Sequence, residues 1–129
     1  MKKINKKSVI KSKKEVAKSI GYKVVRKIGN KLMSCSVKGL KVQYIRDQFS
    51  IPRMWGGPVT LFNNVYDAIG FIKKLEDKDN MKVYRSEYEP TIVDKVWRFM
   101  DGSLDVKNAS ELPVGTVLAK KIKILKKVF

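Results

Sequence analysis

Lysine side chains gathered at the two ends of the chain are the residues best suited to a chemical role. Residues 1–20 hold eight lysines and one glutamate, and residues 119–129 hold five lysines and no acid, so the ends carry 12 of the 17 net positive charges. A lysine ammonium is a compact point charge that pairs with phosphate oxygens without reading a base sequence. The lysines that we expect to contact phosphate are Lys2, Lys3, Lys6, Lys7, Lys11, Lys13, Lys14, Lys18, Lys120, Lys121, Lys123, Lys126 and Lys127.

Codon usage and solubility would each account for the same charge without a phosphate ligand. The chain holds 24 lysines and 5 arginines, and an AT-rich genome, whose codons favour Lys, Asn and Ile, would produce the same bias. Terminal lysines also keep a protein soluble without touching any partner. A net charge of +17 on 129 residues nevertheless indicates a polyanionic partner: nucleic acid, an acidic protein surface or an anionic membrane face. The membrane face is the weakest of these, because neither end has the large apolar face of an interfacial helix.

An aromatic residue close to an arginine adds a further candidate contact. Arg53 and Trp55 lie in the Pro- and Gly-rich segment 46–58, which is predicted to be a loop. An exposed indole stacks on a nucleic-acid base, and a guanidinium pairs with phosphate. The alternative is that Trp55 closes one end of the hydrophobic core.

The remaining polar residues are poorly suited to catalysis. The chain has no histidine and one cysteine, Cys35, so it lacks the usual general base and the ligands of a thiolate zinc site. Glu87 and Glu89 lie two residues apart in a predicted strand, a pattern more typical of a solvated face than of paired catalytic carboxylates. We therefore expect no enzyme activity, no metal and no cofactor. A nucleotide-modifying enzyme that uses Tyr44, Arg46, Glu87 or Glu89 is the hypothesis ranked last.

One helix is predicted in the middle of the chain, from residue 65 to about residue 75. Its apolar residues recur at helical spacing and share one face. Asn63 or Asn64 can cap its start through a side-chain oxygen, and Asp67 in the first turn suits the helix dipole. The residues predicted to face the core are Val65, Ala68, Ile69, Ile72 and Leu75.

Strands are predicted on both sides of this helix, because runs rich in Val, Ile and Tyr alternate with turn residues such as Gly29-Asn30. The predicted strands span residues 22–28, 32–37, 40–45, 59–62, 81–88, 92–100 and 116–125. The fold class is therefore α+β, a mostly antiparallel sheet of about six or seven strands packed against one main helix, with a basic N-terminal extension. Residues 1–20 are expected to form a basic tail or a docked helix, and residues 21–129 a single α+β domain.

No run approaches the roughly 18 consecutive apolar residues of a membrane span. The basic N-terminus is followed by no apolar segment of a secretory signal, so we expect no membrane insertion and an intracellular location. No pattern indicates an oligomeric state.

Three stretches, GGPVTLFNNVYDAIGFI, MKVYRSEYEP and LPVGTVLAKKIKILKKV, together resemble small uncharacterised α+β proteins encoded by phages and other viruses. The resemblance covers roughly residues 22–128 and rests on the apolar pattern, and it implies no active-site residues. It implies a viral accessory or virion protein, located in the host cytoplasm or in the virion.

Two functional hypotheses follow. In the first, a noncatalytic viral or phage-type accessory protein binds the phosphate backbone of nucleic acid nonspecifically through its lysine-rich ends. In the second, a virion structural protein or an anti-defence protein binds an acidic protein surface through the same lysines.

Overall fold

A mostly antiparallel β-sheet dominates the computed structural model, which describes residues 19–34, 42–51, 57–100 and 103–129. The predicted α+β class, with one main helix against the sheet, is confirmed. Short 3-10 turns at Lys78–Asn80 and Ala109–Glu111 join some of the elements. The elements in chain order are β1 (Ser19–Ile28), β2 (Lys31–Ser34), β3 (Gln43–Tyr44), β4 (Phe49–Ser50), β5 (Val59–Phe62), α1 (Val65–Lys73), β6 (Met81–Pro90), β7 (Lys95–Met100), β8 (Ser103–Asn108) and β9 (Thr116–Lys127).

Strands β1–β6 and β9 form one seven-stranded sheet that curls into a partial barrel. One edge of β1 pairs with β6, and the other edge pairs first with β5 and then with β2. Strand β9 likewise has β6 on one edge, with β5 and β4 on the other. Because β1 and β9 share both β5 and β6 as neighbours, these four strands close on one another. Register shifts at Arg85/Ser86 and Glu89/Pro90 accompany this curvature, since bulges add local twist.

Two hydrophobic clusters lie on opposite sides of the curled sheet. The inner cluster is enclosed by the strands and contains Val25, Leu32, Tyr44, Val59, Leu61, Tyr84, Ala119, Ile122 and Ile124. The outer cluster lies beneath α1 and contains Val24, Phe62, Ala68, Ile72, Met81 and Val83. Consecutive residues Val24 and Val25 of β1 therefore contribute to different clusters, as the two-residue period of a strand requires.

Helix α1 begins and packs as its sequence predicts. Asn64 Oδ1 accepts a hydrogen bond from the backbone N–H of Asp67 at 2.9 Å, which is an N-cap. Ala68 and Ile72 are fully buried, and Val65, Ile69 and Leu75 pack against the same cluster. The helix ends at Lys73, two residues before the predicted end.

Three parts of the predicted strand pattern differ from the structure. Strand β4 lies inside segment 46–58, which was predicted to be a loop. Strand β7 starts later than predicted and pairs with β8, an unpredicted strand, in a separate two-stranded sheet. Strand β1 begins at Ser19, inside the range 1–20 assigned to the extension. Short strands such as β4 carry too few residues for alternation to reveal them.

Candidate nucleic-acid interface

The five C-terminal lysines lie on β9, a central strand of the curled sheet. The sequence predicts a charged end attached to the domain, but β6 pairs along one edge of β9 from Ala119 to Lys127, and β5 and β4 pair with parts of the other edge. Their side chains therefore have fixed neighbours. Those neighbours decide which of the lysines face a common surface.

The other predicted contacts lie outside the described residues. These are Lys2, Lys3, Lys6, Lys7, Lys11, Lys13, Lys14, Lys18, Arg53 and Trp55. They remain predictions.

Cross-strand pairing between β6 and β9 builds a ladder of charges on the outer surface of the sheet. Glu87 lies opposite Lys123 and Glu89 lies opposite Lys121. Both glutamates therefore project from one face, as the sequence predicted, and each faces a lysine. Lys120 also approaches Glu89, with its Nζ 3.8 Å from Oε1.

An exposed phenylalanine stands beside these lysines. Phe49 of β4 pairs with Lys123 of β9, and its side chain is 45% exposed. The Nζ atoms of Lys121 and Lys123 lie 4.4 and 4.6 Å from the centroid of the Phe49 ring, which is cation–π geometry. Phe49 was not predicted from the sequence, because its lysine neighbours lie far along the chain. Its position between polar residues, Gln48 and Ser50, was the one available signal.

The next rung of the ladder joins two cations. Arg85 lies directly opposite Lys126, and both side chains are exposed. Within the described ranges no ion pair joins either side chain to a carboxylate. Like charges directly opposite in a sheet repel each other, so this rung concentrates positive charge that the described part of the fold does not neutralise.

We call this surface the Phe49 face. It consists of Phe49, Arg85, Glu87, Glu89, Lys120, Lys121, Lys123 and Lys126, so five cations stand against two carboxylates. Lys127 lies outside it, since it pairs with Tyr84 on the opposite side of β9.

The two carboxylates on the Phe49 face hold its lysines only loosely. The Nζ–oxygen distances are 3.7 Å for Lys121 to Glu89 and 4.0 Å for Lys123 to Glu87, both longer than a good hydrogen bond. Oε2 of Glu87 is buried and accepts no hydrogen bond from the described residues. Exposed ion pairs such as that between Lys121 and Glu89 contribute about 0–1 kcal/mol. A phosphate group can therefore compete with these carboxylates for the lysine ammonium groups.

The residues of the enzyme hypothesis are not brought together. Tyr44 is buried in the inner cluster, whereas Glu87 and Glu89 lie on the outer surface. Arg46 is exposed and donates from Nε to the carbonyl of Leu125 at 3.1 Å.

The described residues include neither a metal-binding cluster nor a membrane-spanning helix. In this part of the chain, no group of three or more His, Cys, Asp or Glu has the arrangement of a metal site. No helix among the same residues is both long and apolar enough to cross a membrane. No protein-family model, no curated protein and no solved structure matches this chain.

Proposed function

We propose that this protein binds the phosphate backbone of nucleic acid without sequence preference, through the Phe49 face and the N-terminal lysines, and that it carries out no catalysis. The observation that supports this most directly is the exposed Phe49 ring, which has the ammonium groups of Lys121 and Lys123 close to it. Proteins that bind single strands combine these features, since a base stacks on an aromatic ring while adjacent cations pair with the backbone. Lysine rather than arginine at these positions favours phosphate contact over base recognition.

The unneutralised Arg85–Lys126 pair extends this surface along the sheet. Because neither cation has a carboxylate partner among the described residues, a phosphate placed between them relieves their mutual repulsion. The glutamates of the same face lie opposite Lys121 and Lys123. They also leave the face less positive than the lysine count alone suggests.

The described chain begins beside this face. Ser19, the first residue of β1, pairs with Tyr88, and Ile20 pairs with Glu87 of the Phe49 face. The chain segment that carries eight lysines therefore meets the domain at the edge of the proposed interface. The resemblance of the sequence to phage and viral proteins makes an accessory or virion protein the setting that we propose.

The test is a salt-titrated binding assay with single-stranded DNA and RNA of mixed sequence. The double variant Lys121→Glu, Lys123→Glu reverses two charges on the Phe49 face, and Lys73→Glu, Lys74→Glu makes the same change in net charge on two exposed lysines at the end of α1. We expect the first variant to weaken binding roughly 100-fold at low salt and the second only slightly. A truncated chain of residues 19–129 should bind with a shallower salt dependence than the full chain.

Equal losses in the two charge-reversed variants would show that net charge alone, and not the Phe49 face, determines binding. Absence of nucleic-acid binding, together with one stoichiometric protein partner that survives nuclease treatment, would replace the proposal with the acidic-protein alternative.

A further inference from the structure

Lys23 of β1 is a buried lysine, with only 5% of its surface exposed. Its Nζ donates a hydrogen bond to the carbonyl oxygen of Thr60 at 2.6 Å and lies 5.6 Å from the centroid of the Tyr44 ring. No ion pair connects it to a carboxylate in the described segments. An ammonium group carries three N–H donors, so two remain after the bond to Thr60.

The position of Lys23 results from a gap in the barrel wall. Strand β1 pairs with β5 at Tyr22 and Phe62, and from Val25 onward its edge pairs with β2 instead. The two strands separate after that contact, and the side chain of Lys23 reaches across the opening to Thr60 of β5. One carbonyl does not replace the hydration of a charged ammonium group, so Lys23 is short of partners among the described residues.

A small pocket of about 90 Å³ opens beside this gap. The polar residues in its lining are Lys23, Thr60 and Thr116. The rest of the wall is apolar and is formed by side chains of β1, β5, α1 and the segment before β9, among them Leu61, Phe71 and Leu112. A second cavity of about 280 Å³, against the β7–β8 hairpin, shares Thr60 and Leu112 with it.

We propose that the Lys23 pocket binds a small aliphatic carboxylate. The carboxylate oxygens accept the two remaining N–H groups of Lys23, and the hydrocarbon tail packs against the apolar wall. Since a dry apolar cavity of about 150 Å³ accommodates benzene, this pocket, with about three-fifths of that volume, fits a tail of about two or three carbons. The buried cation thereby gains a charge partner, and the apolar wall loses its contact with water.

The Lys23 pocket and the Phe49 face lie in different parts of the fold. It lies between β1, β5 and α1, whereas the Phe49 face is built from β4, β6 and β9. This inference is independent of the proposed nucleic-acid binding. Either proposal can fail without the other.

The test is titration of the full chain with straight-chain carboxylates from acetate to octanoate, followed by the methyl NMR signals of Val24, Leu61 and Leu112. We expect saturable shifts confined to these methyl groups, with the tightest binding for propanoate and butanoate. The matched neutral amide of the best acid should bind roughly ten- to 100-fold more weakly, since a hydrogen bond to a charged group contributes that much. Tightest binding for octanoate would overturn the proposed tail length and identify a longer acyl chain that extends into the second cavity.

Two variants locate the site. Lys23→Met removes the ammonium group while nearly keeping the side-chain volume, and it should abolish the preference for acid over amide. If Lys23→Met does not fold, Leu112→Trp fills the pocket without touching Lys23, and Leu104→Trp on the exposed surface of β8 serves as its control. Equal binding of acid and amide to the unmodified chain, no saturable shift up to the solubility limit, or unchanged binding in Leu112→Trp overturns the proposal.

Discussion

Lysines occupy two contrasting environments in this protein. On the Phe49 face, Lys121 and Lys123 are partly exposed and lie near carboxylates that they hardly bind. In the pocket, Lys23 is buried with one carbonyl as its hydrogen-bond partner and no carboxylate in the described segments. Water screens the first group, so an exchange of partners costs little there. The buried ammonium lacks that screening, and any change of its charge acts on the whole fold.

The largest expected effect is that of charge reversal at the buried position. Lys23→Glu places a carboxylate against the carbonyl oxygen of Thr60 in an apolar surrounding, and we expect it to lower the free energy of unfolding by about 3 kcal/mol or more. Lys121→Glu makes the same change at a more exposed position of the Phe49 face and should cost no more than about 1 kcal/mol. Urea denaturation followed by circular dichroism measures both. A similar loss of unfolding free energy in the two variants would contradict the proposed difference between the buried and the exposed lysine.

A second prediction concerns Gly21, where β1 passes β5. A Cβ atom at this position would lie 2.6 Å from Cδ1 of Leu61 and 3.0 Å from the carbonyl oxygen of Phe62. We expect Gly21→Val to lower the free energy of unfolding by about 2–3 kcal/mol, because the contact between β1 and β5 has to open to admit the side chain. The control is Gly70→Ala in α1, where a Cβ meets nothing within 4 Å.

Gly70→Ala should raise stability by about 0.5–1 kcal/mol, since alanine forms helix more readily than glycine. Both variants are measured by the same denaturation experiment. A neutral Gly21→Val would contradict the closure of the sheet at this point.

An effect of intermediate size is expected from the loss of aromatic stacking on Phe49. Phe49→Ala should weaken binding of single-stranded DNA by about 1–3 kcal/mol, the usual contribution of one stacked base. Its effect on duplex DNA should be smaller, because paired bases are not free to stack on the ring. Fluorescence anisotropy with a labelled oligonucleotide measures the change, and Tyr66→Ala, on an exposed aromatic of α1, is the control. An equal loss of affinity in the two variants would show that Phe49 does not contact the nucleic acid.

The smallest expected effect belongs to the Arg85–Lys126 rung. Lys126→Ala should reduce the slope of log affinity against log salt by about 0.7 for single strands, which corresponds to one phosphate contact. The same change should leave stability unaltered or raise it by a few tenths of a kcal/mol, because a like-charge pair is relieved. An unchanged salt slope would place Lys126 outside the interface.

Local elements were predicted from the sequence better than their partners were. The N-cap at Asn64 and the buried face of α1 follow from contacts within a few residues, so composition and spacing were sufficient. The paired glutamates on one face followed from the period of a strand. Strand β8 and the approach of Phe49 to Lys121 were missed, because a strand's neighbours are set by pairing between distant segments.

The amino-acid sequence by itself determined the charge, the α+β class and the main helix, since these depend on residue types and on interactions along a few turns of chain. Only the tertiary structure decided that Lys23 is buried. Lys23 and Lys123 both lie between two apolar residues in a strand, and nothing local distinguishes them. The separation of β1 from β5 places the side chain of Lys23 inside a gap, whereas the pairing of β9 with β4 and β6 leaves that of Lys123 beside Phe49 on the outer surface. Burial of a charge is a property of the closed sheet, because it depends on which strands meet and where they part.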